Sequence, residues 1–214
     1  MSQVSPVAAR IAALQQAGSA MALLEATQEL ASCADASAAP VLVEVLGFNN
    51  PGAAVAAVEG LISLGTAAVE ALLQLDPENY GARAWAVRAL AGIGDVRGLE
   101  LLLDALGSDV VASVRRAAAK GLGQLQLSEL PPAQQQDIQR QCLGALLAAT
   151  SDGEWVVRYA VAVGLELLAA GLPAGSPERQ LAQQGLLTLQ EATDGTPPVV
   201  QRRAKLALSR LELQ

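Results

Sequence analysis

"VRRAAAKGL" (Val114–Leu122) and "VRYAVAVGL" (Val157–Leu165) carry one pattern: an aliphatic residue, an arginine, alanine two places later, then glycine and leucine. "ARAWAVRAL" (Ala82–Leu90) repeats it, with Trp85 where the others have alanine. The aligned arginines, Arg83, Arg115 and Arg158, are spaced by 32 and 43 residues. "QRRAKLALS" (Gln201–Ser209) continues the series with Arg202, 44 residues further on. Upstream, "AAVAAVEGL" (Ala53–Leu61) keeps the apolar pattern but has Ala54 in place of the arginine. A recurring unit of roughly 30 to 45 residues is the signature of a repeat architecture.

Each segment follows another stretch of helical period: "APVLVEVLG", "TAAVEALLQL", "VRGLELLLDALG", "PAQQQDIQRQCLGALLAAT" and "SPERQLAQQGLLTLQEAT". Asn-Pro-Gly, Gly-Asp, Gly-Ser-Asp, Ser-Asp-Gly and Asp-Gly-Thr-Pro-Pro punctuate them as turns. "PVAARIAALQQAG" and "SAMALLEATQELASC" add a helical pair at the N-terminus. The reading is all-α: an α-solenoid of about five to six HEAT-like helix pairs forming a right-handed superhelix. It forms one domain over residues 1–214, with residues 1–35 as the N-terminal cap and 36–214 as the repeats. "QLSELPPAQQ" and "GLPAGSPE" are the expected irregular loops.

Composition agrees. Residues are 52% hydrophobic but 2% aromatic, so small aliphatics do the packing and helices can approach closely. No uninterrupted apolar run of about 18 residues marks a membrane span, and the first residues lack the pattern of a secretory signal. Histidine is absent, which excludes histidine acid–base chemistry. The two cysteines, Cys33 and Cys142, are isolated from each other, read as reduced thiols, and make a zinc site unexpected. A net charge of −7 argues against nucleic acid as the partner.

The repeated arginine has a structural explanation. Asp109 and Asp152 each precede an arginine by six residues, and such an Asp can cap the second helix of a unit. The arginine can then reach a neighbouring unit's Asp, forming a ladder through Arg115, Arg158 and Arg202. For Arg83 the cap candidates are Asn79 and Glu78. Four aromatic residues are left over by the repeat. Tyr80 and Trp85 stand among Arg83 and Arg88, and Trp155 and Tyr159 flank Arg158, near the starts of two second helices. Positions three and four apart share a helix face, and second helices line the concave ligand surface of a solenoid. Packing between unequal repeats is the other reading. Together with Arg116, these residues favour a binding surface.

The run "NYGARAWAVRALAGIGD" (79–95), followed by "SVRRAAAKGLGQL", resembles the F-type subunit of the heterodimeric E/F family of phycobilin lyases. The repeat pattern covers most of the chain, and its distinctive part runs from about Asp76 to Leu125. The resemblance implies an enzyme subunit active with an E-type partner. Such a pair attaches an open-chain tetrapyrrole, phycocyanobilin for members of this length, to a cysteine of a phycobiliprotein α subunit through a thioether bond. It also implies the cytosol of a cyanobacterium, phycobilisome assembly, no membrane insertion and no permanently bound cofactor, the bilin being substrate. Related subunits isomerise the bilin through a motif of His and adjacent Cys. This chain has neither, so no isomerase activity is expected.

Under that resemblance the bilin-binding residues are Tyr80, Arg83, Trp85, Arg88, Arg116, Trp155, Arg158 and Tyr159. Arginine can fork onto a propionate, and an aromatic ring can cover a pyrrole face. Asp109 and Asp152 are candidates for a catalytic proton donor beside the pyrrole nitrogens, with helix capping as the other reading of each. The alternative function is a non-catalytic HEAT-repeat adaptor that grips a protein partner on its concave face.

Overall fold

The computed structural model describes residues 6–76, 78–191 and 195–213. Twelve α-helices and no strand occur among them: α1 (Pro6–Gln15), α2 (Ala20–Ala31), α3 (Ala39–Leu46), α4 (Pro51–Leu64), α5 (Val69–Leu73), α6 (Tyr80–Ile93), α7 (Leu99–Ser108), α8 (Ala112–Gly123), α9 (Pro132–Ala148), α10 (Trp155–Ala170), α11 (Pro177–Glu191) and α12 (Pro198–Glu212). The all-α class and the pairing of helices are as expected. So are the irregular connections before α9 and α11. Asp194, in the last expected turn, lies outside the described residues.

Two compact units divide the chain, Met1–Gly98 and Leu99–Gln214. In the first, the second helices α2, α4 and α6 pack in series, with α3 against α4 and α6. Asparagine starts two of them: the Asn50 and Asn79 side chains accept from the N–H groups of Ala53 and Ala82, each at 3.1 Å. Gly94 ends α6 in the left-handed region at φ 72°, where a Cβ would be strained. Leu30, Leu42, Leu61 and Leu90 are fully buried and form the core. The segment Pro51–Leu73 has the length and mean apolarity of a membrane span, although Glu59, Ser63, Thr66 and Glu70 keep it from being an uninterrupted apolar run. It is broken by a 3-10 turn over Gly65–Ala68, and half of its apolar window is buried in the protein, as a core helix would be.

In the second unit α8, α10 and α12 pack in series, and α9 and α11 back them. The α8–α10 crossing is backbone against backbone. A Cβ on Gly123 would strike the Gly164 carbonyl, and one on Gly164 would strike the carbonyl of Ala119. Leu102, Leu122, Leu146, Leu165 and Leu186 fill the core. No aromatic side chain is buried among the described residues, so all the rings of this protein sit at or near its surface.

Burial fixes the register of the repeat. The second helices start at Pro51, Tyr80, Ala112, Trp155 and Pro198, and the first buried stripe residue follows two places later at Ala53, Ala82, Val114, Val157 and Val200. Tyr80 and Trp155 therefore occupy the same repeat position. The register also moves the last unit by one residue: Gln201, and not Arg202, stands where Arg115 and Arg158 stand. Val200 and Ala204 must both face the core, and this rotates Arg202 outward.

Candidate functional site on the exposed faces of the second helices

The ladder arginine is real in one unit. Arg115 donates from Nε at 2.7 Å and from Nη2 at 3.0 Å to the two carboxylate oxygens of Asp152. Its Nη1 reaches the carbonyls of Asp109 and Val110. Asp152 Oδ1 also accepts from the N–H of Glu154 at 2.8 Å, and Asp109 Oδ1 accepts from Val111 N–H at 2.8 Å. Neither aspartate is a helix N-cap. Each closes a turn two residues before one, because the cap positions are Glu154 and Val111. The Arg115 guanidinium holds the Asp152 carboxyl below the usual carboxylate range, and Asp152 raises the basicity of Arg115 in return.

Asp109, Arg115 and Asp152 line a cavity of about 410 Å³ with Leu106, Ser108, Ala148 and Ser151. Within this cavity Arg115 neutralises Asp152, while the Asp109 carboxylate accepts from the N–H of Val111. The two candidate proton donors thus sit together, with Asp152 held as a carboxylate by Arg115.

Arg158 needs a correction. It is buried, and its Nη1 donates to the carbonyls of Asp152 and Gly153 while Nη2 reaches Gly195 at 3.3 Å. Its position in the ladder register draws it between turns, away from the exposed face where a ligand would lie. Its flanking rings remain outside: Trp155 is 44% exposed, and Tyr159 is half-buried. Arg116, one residue after the ladder position, is exposed on α8.

On α6 the residues separate by face. Arg83 lies at the ladder register and is half-buried. Gly81, Trp85, Arg88 and Gly92 form one outward stripe at i, i+4, i+7 and i+11. The Arg88 guanidinium carbon sits 4.6 Å from the centroid of the Trp85 ring, a cation–π contact that pre-positions the cation. Tyr80 is 73% exposed at the first turn. Gly81 leaves the backbone open on the N-terminal side of the Trp85–Arg88 pair, whereas Gly92 is the point where Ile62 of α4 packs against α6.

A charged cluster on α10 and α12 was not singled out from sequence. Glu166 accepts from Arg203 and, at 3.2 Å, from Arg210. The separations of 37 and 44 residues are close to the repeat length, which is the signal that could have found it. Counted from the helix start, Arg203 occupies the position of Trp85 on α6. No group of three or more His, Cys, Asp or Glu side chains that could hold a metal occurs among the described residues.

Comparison with known proteins agrees with this architecture. The family model for HEAT repeats matches residues 69–136. The Bilin biosynthesis protein RpcF of Synechococcus sp. is 47% identical over 99% of both chains. The phycocyanobilin lyase subunit beta of Pseudanabaena tenuis is 47% identical over 95% of this chain and 72% of its own length. The phycocyanin alpha phycocyanobilin lyase CpcF of Synechocystis sp. is 52% identical over 74% and 75% of the two chains. Among solved structures, a chain from the complex of CpcE and CpcF of phycocyanin lyase from Nostoc sp. superposes with a TM-score of 0.70, at 41% identity over 81% of this chain and 99% of that one. A designed armadillo repeat protein, 19% identical with a TM-score of 0.57, shares the fold alone. With identity at this level along nearly its whole length, the chain belongs to the family of phycocyanobilin lyase β subunits.

Proposed function

We propose that this chain is the F-type subunit of a heterodimeric bilin lyase, working with an E-type partner in the cytosol of a cyanobacterium. The pair attaches an open-chain tetrapyrrole, most simply phycocyanobilin, to a cysteine of a phycobiliprotein α subunit. The acceptor thiol adds across a carbon–carbon double bond of the bilin. The C–S bond forms as the thiol proton passes to the bilin skeleton, and nothing leaves. The lyase supplies no nucleophile. It binds the bilin in one conformation and presents it to the thiol, which is where an effective-molarity gain arises.

The observation that carries the reading is the pairing of half-buried Trp85 with exposed Arg88, set in a chain that matches a phycocyanobilin lyase subunit beta over 97% of both chains. The indole covers a pyrrole face, and the fixed guanidinium takes a propionate in a fork. Tyr80 adds an exposed ring on α6, and the second unit by itself carries the same kinds of side chain at Arg116, Trp155 and Tyr159. The bilin is substrate, with no resident cofactor. The test is co-purification with an E-type subunit, then incubation with phycocyanobilin and an apo-phycocyanin α subunit. Covalent, acid-stable visible absorbance on the acceptor is expected only when both subunits are present. Equal attachment without this chain would refute the proposal.

A further inference from the structure

Helix α12, like α8, is a basic element of an acidic protein. Pro198–Glu212 holds Arg202, Arg203, Lys205 and Arg210, four of the chain's 14 lysines and arginines, but only one of its 21 acidic residues. The cations are not spread evenly around it. Val199, Arg203, Leu206 and Arg210 follow at i, i+4, i+7 and i+11, so they share one face. Val199 and Leu206 expose nearly half their surface. Gln201, Lys205, Leu208 and Glu212 form a separate, largely polar stripe. The apolar–cationic face is distinct from it.

Arg203 is the fixed point of that face. Its side chain is 10% exposed and donates through Nη2 to Glu166, while its buried Nη1 has no hydrogen-bond partner among the described residues. A buried guanidinium donor left unpaired is costly, and such atoms call for an explanation. Arg210, 56% exposed, donates to the other oxygen of the same Glu166. One carboxylate thus holds two guanidiniums, and the cluster keeps a positive charge. A structural ion pair would need only one of them.

We infer that Arg203, oriented by Glu166 and flanked by Arg210, anchors a carboxylate of an amphiphilic ligand whose apolar body lies along Val199 and Leu206. Resting on the function proposed above, that ligand is the bilin, and the group recognised is a propionate. A small turn of the guanidinium, of the kind common on binding, brings Nη1 onto the incoming carboxylate. The fork of Arg203 gives the contact its geometry, which an ammonium cannot copy. A nearly buried, pre-oriented cation suits a single small carboxylate better than the mobile rim charges of a protein–protein contact.

The experiment uses the complex with the E-type subunit and compares phycocyanobilin with its dimethyl ester by absorbance titration, with melting temperature recorded for every variant. The wild-type complex should bind the diacid roughly tenfold or more tightly than the ester. Arg203→Gln should reduce that ratio by about tenfold, and Arg203→Lys should not restore it. Lys205→Gln, on the polar stripe, should leave the ratio unchanged. If Arg203→Gln fails to fold, the exposed Arg210→Gln should still show a partial loss. No binding of either form by the wild-type complex would refute the bilin reading itself. Equal binding of diacid and ester by the wild type would overturn the Arg203 anchor, and the Arg88–propionate contact with it, while leaving bilin binding itself intact. An unchanged ratio in Arg203→Gln, with a raised KM for the acceptor protein, would overturn it in favour of a protein-docking face.

Discussion

Arg115 on α8 holds the carboxylate of Asp152 with two donors, at 2.7 and 3.0 Å, across 37 residues of sequence. Both side chains are largely buried, so removing one partner leaves the other charged and uncompensated. Asp152→Asn should cost about 2–4 kcal/mol at pH 7, lowering Tm by roughly 5–10 °C. The pH dependence has a definite sign. The folded carboxyl sits below its ordinary value of 3.8, so its stabilisation is fully present above that value and is lost as pH falls through the lower, folded one. Thermal melts from pH 6 down to pH 3 should show a steeper acid loss in the wild type than in Asp152→Asn. Parallel curves would contradict the pairing.

Gly164 tests the α8–α10 crossing. A methyl group there would collide with the carbonyl of Ala119, which is helix backbone and cannot swing aside. Gly164→Ala should destabilise by about 3 kcal/mol or more, despite alanine's better helix propensity. The check is chemical denaturation followed by circular dichroism, and an unchanged midpoint would refute the crossing geometry.

Trp85 and Arg88 separate stability from function. Arg88 is exposed, so Arg88→Gln should change stability by less than about 1 kcal/mol, while chromophore transfer falls sharply. Arg88→Lys should be nearly as damaging, because the fork is lost. Trp85→Leu removes part of a half-buried ring and should cost about 1–3 kcal/mol. Melting temperature and transfer rate measured on the same variants decide the matter. Unchanged transfer with a lowered Tm would make the pair a packing feature.

Cys142 is buried on α9, and burial pushes its thiol up to about 12. At pH 8 it is almost wholly protonated, and the thiolate is the reactive form. Iodoacetamide should leave Cys142 unmodified in the native protein and label it in denaturant, as read by peptide mass. Rapid native labelling would contradict the burial.

The isolated chain should self-associate. Val55 and Ile62 on α4, Leu167 on α10 and Leu206 on α12 are all exposed to a similar degree, in a chain that is 52% hydrophobic. Size-exclusion chromatography should give aggregates or oligomers for the chain alone and one sharp species with an E-type subunit. A stable monomer indifferent to the partner would refute this.

What the sequence determined by itself is what depends on neighbours along the chain. Helical period, asparagine and glycine punctuation, and a unit of constant composition define the paired helices, because each rests on local backbone geometry. The Trp85–Arg88 contact was legible for the same reason: three residues apart on a helix are neighbours whatever the fold does. Tertiary structure decided which arginines are spent. Arg158 and Arg115 occupy the same repeat position, yet Arg115 finds a carboxylate and Arg158 finds carbonyls. Arg202 fits the sequence pattern, but packing of Val200 and Ala204 into the core turns α12 by one residue and puts Gln201 in the ladder position. The same rotation brings Arg203 and Arg210 onto Glu166. A pattern of similar residues leaves a one-place slip open. Only the burial of one helix against the next removes it, since a slip of one residue rotates every side chain on a helix by about 100°.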